Sequence, residues 1–184
     1  MITYDEIRAK ADEFLYVVYG GNAAWPVRKF NLRTRALTTV TLIPQALLSP
    51  GPGFSQGPLM LHIVCSSVQE RAYLLVNYWE NGWPAKSRVL QIDTGGASIL
   101  TETTPGESPL WFATKMALSG DSLVSVQGYN DVSPPTQISL QNGARSVLAP
   151  IAVRGFAMTA ALDLHRLYVI ARRFRAMTLC YKSG

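Results

Sequence analysis

Residues 72–84 read Ala-Tyr-Leu-Leu-Val-Asn-Tyr-Trp-Glu-Asn-Gly-Trp-Pro. A run rich in aromatic and branched side chains leads into Asn81-Gly82. Asn-Gly is the favoured pair for a type I′ hairpin turn, because both central residues need positive φ. The stretch therefore reads as a strand, a two-residue turn and a returning strand. Pro84 cannot donate a ladder hydrogen bond, which predicts an edge position for that returning strand. Asn142-Gly143 repeats the pattern between two further apolar runs.

The same short runs recur along the chain at 36–43, 59–65, 88–92, 111–118, 122–127, 136–140 and 146–153, separated by Gly, Pro, Asn or Asp. This is the spacing of an all-β sandwich or barrel. Residues 157–181 stay ambiguous: a helical stripe from Asp163 and two strands at 167–171 and 177–181 both fit, and the preceding β pattern favours strands. The N-terminus differs. Thr3 and Glu6 form a capping-box pattern, Ile7, Ala11, Phe14, Leu15 and Val18 share one helical face, and Gly20-Gly21 supply a stop. The expectation is a mainly β chain: an antiparallel, jelly-roll-like β-sandwich over 25–184, preceded by an amphipathic helix within an arm over 1–24.

The chain has 184 residues, 48% of them hydrophobic and 16% charged, with a net charge of +5. These values describe a packed globule rather than a disordered chain. The charge is unevenly placed. Residues 1–24 carry four acids and two bases, 89–143 five acids and one base, and 144–184 seven bases and one acid. Head-to-tail contact between copies suits that pattern, and a basic end facing nucleic acid is the less economical reading. Two cysteines, Cys65 and Cys180, make neither a disulfide framework nor a zinc site. The sequence carries no signal-peptide pattern and no long apolar run, so no membrane span is expected.

Candidate chemistry is sparse. The glycines of Ser49-Pro-Gly-Pro-Gly-Phe-Ser-Gln-Gly-Pro58 have no following Lys and lead into a strand, so they form a surface loop and not a phosphate cradle. Phe54 at its tip is a candidate anchor. His62 and Cys65 lie three apart on one strand and so face opposite ways. No nucleophile elbow and no metal-spaced cluster is present. Glu102, Glu107, Asp121 and Asp131 read as solvated turn acids. The expectation is therefore no catalytic residue, no metal and no cofactor.

Two recognition candidates remain. Tyr78, Trp79 and Trp83 gather at the first hairpin, where they suit stacking on a sugar ring or an apolar patch. Arg166, Arg172, Arg173 and Arg175 form a basic strip with interleaved aromatics. The segment Leu118-Ser-Gly-Asp-Ser-Leu-Val-Ser-Val-Gln127 resembles strands in the sandwiches of virion decoration, head-fibre and tail proteins, without identifying a family. The leading expectation is an assembly protein of a multi-copy, phage-type virion, contacting copies of itself and other particle proteins. A carbohydrate- or receptor-binding module using the aromatic hairpin is the alternative.

Overall fold

The computed structural model describes residues 2–8, 13–19, 24–31, 33–49, 51, 56–66, 71–80, 83–103, 113–127, 135–148, 156–162, 166–172 and 177–182. Among them the chain is almost wholly β. The first sheet holds β1 (Ile2–Arg8), β2 (Glu13–Tyr19), β3 (Ala24–Asn31) and β4 (Leu37–Pro44), followed by a one-turn helix α1 (Gln45–Leu48). The second holds β5 (Gln56–Ser66), β6 (Arg71–Glu80), β7 (Trp83–Asp93) and β8 (Gly96–Thr103). The third holds β9 (Ala113–Ser119), β10 (Ser122–Gln127), β11 (Thr136–Ser139) and β12 (Arg145–Val147). The fourth holds β13 (Phe156–Leu162), β14 (Arg166–Arg172) and β15 (Met177–Lys182).

Every sheet is an antiparallel meander in which each strand pairs with its sequence neighbour. A jelly roll needs connections that cross from sheet to sheet, and none of these four sheets contains one. The jelly-roll expectation is therefore corrected. The strand runs were legible, but their connectivity follows from turns too short to reach past an adjacent strand. The described residues of the 157–181 segment form the strands β13, β14 and β15.

The N-terminal helix is corrected as well. Ile2–Arg8 and Glu13–Tyr19 pair as the antiparallel strands β1 and β2, with Ile2 opposite Tyr19 and Ile7 opposite Phe14. Residues 14–19, Phe-Leu-Tyr-Val-Val-Tyr, are aromatic or β-branched at five of six positions. Such residues lose rotamer freedom in a helix and fit a pleated sheet. β2 also pairs with β3 over Phe14–Val18, so the ladder outweighs the capping pattern.

Period-2 burial organises the middle of the chain. Ala72, Leu74, Val76 and Tyr78 of β6 join Trp25, Val27, Ile43 and Leu48 in a core between the first and second sheets. Tyr73 and Leu75 join Val89, Met116, Leu123 and Ile138 in a separate core between the second and third. The first strands of successive sheets adjoin one another, β1 on β5, β5 on β9 and β9 on β13. His62 contributes to this inner seam, its Nδ1 accepting the Met116 amide at 3.2 Å.

The returning strand β7 is not an edge, since it pairs with both β6 and β8. Pro84 is tolerated because the β8 ladder begins at Ser87, beyond it, and a register shift relieves the β6 side at Tyr78/Trp79. Asn81 and Gly82 lie outside the described residues, but the Glu80–Trp83 pair leaves two residues for the loop. The Asn142-Gly143 loop departs from type I′. It spans 140–144, and only Gly143 has positive φ (70°). The Gly143 amide donates to the Ser139 carbonyl at 2.9 Å, and the Ala144 amide donates to Asn142 Oδ1 at 3.0 Å.

Gly143 is required twice over. A Cβ there would sit 1.9 Å from the Leu100 carbonyl oxygen, in a left-handed backbone, whereas Gly120 (φ 53°) has open space around it. Gly143→Ala should cost about 2 kcal/mol or more, and Gly120→Ala about 1 kcal/mol. Urea unfolding of both variants checks the order; equal losses would mean that contact with Leu100 is irrelevant.

Candidate binding surface

An even number of strands returns each four-stranded meander to the end where it began. The ends of β4, β8 and β12 and the starts of β5, β9 and β13, between which the sheets are joined, therefore gather at one end, with the end of β6 and the start of β7. Contacts agree with this: Tyr78, near the end of β6, reaches Leu47 in the chain leaving β4, while Asp121 in the β9–β10 turn bears on Tyr73 at the opposite end. At that opposite end no connection exceeds five residues. Long connections collect at one end of a rigid scaffold, the usual setting for a binding surface.

Directly beneath the loop end lies a buried polar cluster. Arg88 is 5% exposed and Lys86 8%. Both side chains meet Glu102, Lys86 at 2.5 Å and Arg88 through its Nε. The Arg88 guanidinium also donates to the Leu47 carbonyl, to the Ser49 carbonyl at 3.2 Å and to the Tyr78 hydroxyl at 3.1 Å. The Tyr78 hydroxyl in turn donates to the Leu47 carbonyl at 3.3 Å. Two of the carbonyls that end α1 and the chain after it are thus satisfied by one arginine. Burial pushes the Tyr78 hydroxyl up to about 12, so it stays neutral and able to donate. Burial also pushes Glu102 up, but hydrogen bonds from Lys86 and Arg88 outweigh this and hold its carboxyl below the usual range. The cluster is a clamp fastening α1 and Ser49 after it onto the second sheet.

Farther across the same end the core turns polar. Asn77, Ser87, Thr103, Ser125 and Thr136 are buried near the loop-end termini of their strands. Thr103 and Ser87 bond to each other, the Ser87 amide donating to Thr103 Oγ1 at 3.1 Å. The Thr136 hydroxyl has no hydrogen-bond partner among the described residues. Among the described residues no group of three His, Cys, Asp or Glu is placed to hold a metal. None of their helices is long and apolar enough to cross a membrane, which leaves β-barrels unaddressed.

The sequence candidates divide. Tyr78 is fully buried and belongs to the core and the clamp, not to an aromatic platform. Its even-numbered place on β6 turns it onto the first sheet. Trp79 is half-buried and pairs with Pro84, and Trp83 opens β7 opposite Glu80. Phe54, Arg173 and Arg175 lie outside the described residues. The strand ends that flank them are the start of β5, the end of β14 and the start of β15. Arg172 ends β14 opposite Phe156, and Arg166 begins that strand opposite Lys182, so the two arginines sit at opposite ends of it. A single basic strip is therefore split between the two ends of the sheet. Glu102 is not a solvated turn acid: it lies within β8. Lys86, Arg88 and Glu102 were legible only as charges interrupting strand patterns, because their meeting depends on the β7–β8 register, Arg88 opposite Glu102.

A scan against protein-family models finds no match, and a search of curated proteins finds none either. Solved structures do match. The chain is similar to a chain of a nidogen/laminin complex, at 12% identity and TM-score 0.52, covering 92% of this chain and 59% of that one. It is also similar to the Vanderwaltozyma polyspora Nup133 β-propeller domain, at 13% identity and TM-score 0.54, covering 99% of this chain and 56% of that one. The chain thus spans a little over half the length of both. At such identity the likeness is one of fold: four-stranded meanders stacked face to face, as in propeller blades.

Replacing Arg88 with Met should strip Glu102 of one cation and the Ser49 carbonyl of its Arg88 donor, leaving the Leu47 carbonyl only the Tyr78 hydroxyl. A loss of about 3–5 kcal/mol in urea unfolding is expected, as for breaking a buried pair. The pH dependence has a definite sign. Glu102 titrates lower when folded than its ordinary 4.5, so its stabilisation is complete above about 4.5 and is lost as pH falls through the depressed folded value. Glu102→Gln should abolish that part of the acid-induced loss of stability, read as urea midpoints between neutral pH and about pH 3. An unchanged acid profile would remove Glu102 from the clamp's energetics.

Proposed function

We propose that the chain is a non-catalytic, propeller-type scaffold that binds a protein partner at its loop end. The observation that carries this reading is the asymmetry of the two ends: the strand ends that lead from sheet to sheet, Trp79 and Trp83 and the polar part of the core share one end, while at the other no strand connection exceeds five residues. Half-buried Trp79 and the neighbouring Trp83 serve as anchors there, since aromatic side chains dominate protein interfaces. The buried clamp beneath them fixes Leu47 and Ser49 where the chain leaves the first sheet, which limits the ordering cost of binding.

The assembly role expected from the sequence fits this reading, with the contacts made by loops and not by an N-terminal helix. The virion setting rests on likeness to jelly-roll sandwiches, and meander sheets withdraw that support; the assembly role does not depend on it. Sugar binding at the same hairpin is a second reading, favoured by Trp79 remaining partly accessible. It is weakened by the loss of Tyr78 to the core.

Site-specific photo-crosslinking in cells that naturally express the chain tests the proposal. A photoreactive residue at position 83 should capture a defined protein partner, and one in place of exposed Thr94, in the opposite-end turn, should not. Trp79→Ala should reduce the capture at least tenfold without altering the thermal midpoint by more than a few degrees. Equal capture from both ends would refute the loop-end assignment. Glycan-array binding abolished by Trp79→Ala, without protein capture, would establish the sugar reading instead.

A further inference from the structure

Asn142-Gly143, the pair in the turn between β11 and β12, has a chemistry of its own. Glycine has no side chain to shield its nitrogen, so that nitrogen can reach the Asn142 side-chain carbon Cγ and close a five-membered ring. The reaction needs no co-reactant but water. The Gly143 nitrogen loses its proton to solvent base and bonds to Cγ. The Cγ–Nδ2 bond breaks, and Nδ2 leaves as ammonia with a proton from water. Water then opens the succinimide. Cleavage of the bond between Cγ and the Gly143 nitrogen leaves aspartate at position 142. Cleavage on the main-chain carbonyl side leaves isoaspartate, with the backbone rerouted through Cβ and Cγ.

The loop offers the electrophile and withholds the nucleophile. Asn142 is exposed, and its Oδ1 accepts the Ala144 amide at 3.0 Å. That bond reaches two residues ahead, so it folds the side chain across the Gly143 peptide, and it draws electron density away from Cγ. Gly143, by contrast, is buried, and its amide donates to the Ser139 carbonyl at 2.9 Å. A proton held in a buried hydrogen bond is lost to solvent base only after that bond has opened.

The rest of the loop keeps the bond closed. The Ser139 amide donates to the Ala144 carbonyl and the Leu140 amide to the Asp121 carbonyl, both at 2.9 Å. The Gln141 amide donates to Ser139 Oγ at 3.3 Å. Leu140 is buried and belongs to the core between the second and third sheets. Gly143 itself is pressed on the second sheet, where an added Cβ would meet the Leu100 carbonyl oxygen at 1.9 Å. This tightness separates the two products. Isoaspartate inserts a backbone carbon just before a residue with no space against Leu100, so the loop cannot close as before. Aspartate inserts none and keeps an oxygen for the Ala144 amide.

We infer that Asn142 is a latent site of self-modification, unreacted while the β11–β12 loop is closed and converted through the succinimide when it opens. Asn142 is already exposed, so what gates the reaction is release of the Gly143 amide from Ser139. Isoaspartate there makes the opening permanent. The site lies at the end opposite the proposed binding surface and does not depend on that reading.

Peptide mapping of the full chain, held in mildly alkaline buffer with and without denaturing urea, tests the inference. Deamidation at Asn142 should be about tenfold or more slower in the folded chain than in urea, because the folded rate is scaled by the fraction of time for which the loop is open. Ser139→Ala removes the hydroxyl that holds the Gln141 amide and leaves the reacting pair untouched. It should raise the folded-chain rate severalfold, with the rate in urea and the far-UV spectrum unchanged. The isoaspartate-containing chain, separated by ion exchange, should unfold at a lower urea concentration than Asn142→Asp, which carries the same charge. Equal rates at Asn142 with and without urea would overturn the inference. So would a folded-chain rate indifferent to Ser139→Ala, or equal urea midpoints for the isoaspartate chain and Asn142→Asp.

Discussion

Strand β6 is buried on both faces, and its alternate side chains belong to different cores. Leu74 and Val76 are held by the first sheet, Tyr73 and Leu75 by the third. A register slip of one residue would exchange the two sets and disrupt both cores together. This double constraint sets the order of the stack, because the second sheet can occupy no other position than between its neighbours. The bulges at β5 and β7 are then accommodations made at the edges of a fixed centre.

Stacked meanders solve one problem and raise another. Strand pairing by sequence neighbours keeps every turn short and every contact local, but each sheet leaves two apolar faces that need covering. Face-to-face stacking covers them in series. The buried ions follow from the same geometry. Where the chain leaves the first sheet, its terminal carbonyls would otherwise lie against the second sheet without donors, and Arg88 supplies them at a site where Glu102 offsets its charge. A charge that deep is tolerated only with such a counter-ion and several hydrogen bonds.

The contrast between the two ends of the stack has a physical origin too. Hairpins inside a sheet bridge neighbouring ladders about 5 Å apart and need few residues. Connections between sheets must cross from the outer strand of one to the inner strand of the next, and so need more. An even number of strands per sheet sends those longer segments to one end. The polar residues Ser87, Thr103, Ser125 and Thr136 mark where the apolar cores stop short of it. A surface suited to recognition thus arises from strand parity, before any particular side chain is chosen.

Local physics was enough to read most strands from the sequence. The runs at 59–65, 72–79, 122–127 and 136–140 lie within or nearly match β5, β6, β10 and β11, since period-2 patterning and turn residues act over a few positions. The 157–181 segment leaned correctly to strands for the same reason. The capping pattern at Thr3 and Glu6 misled because a helical signal spanning one turn competes with pairing to β3, a partner the local sequence does not reveal. Glu102 was misplaced because its partners Lys86 and Arg88 are brought to it by the ladder between β7 and β8. Tyr78 reads as a surface aromatic beside a turn and becomes core only when the first sheet stacks on its face. Short-range spacing determined which residues form strands; the stacking of sheets, a contact between positions dozens of residues apart, decided which faces are buried, which end gathers the loops and which charges meet.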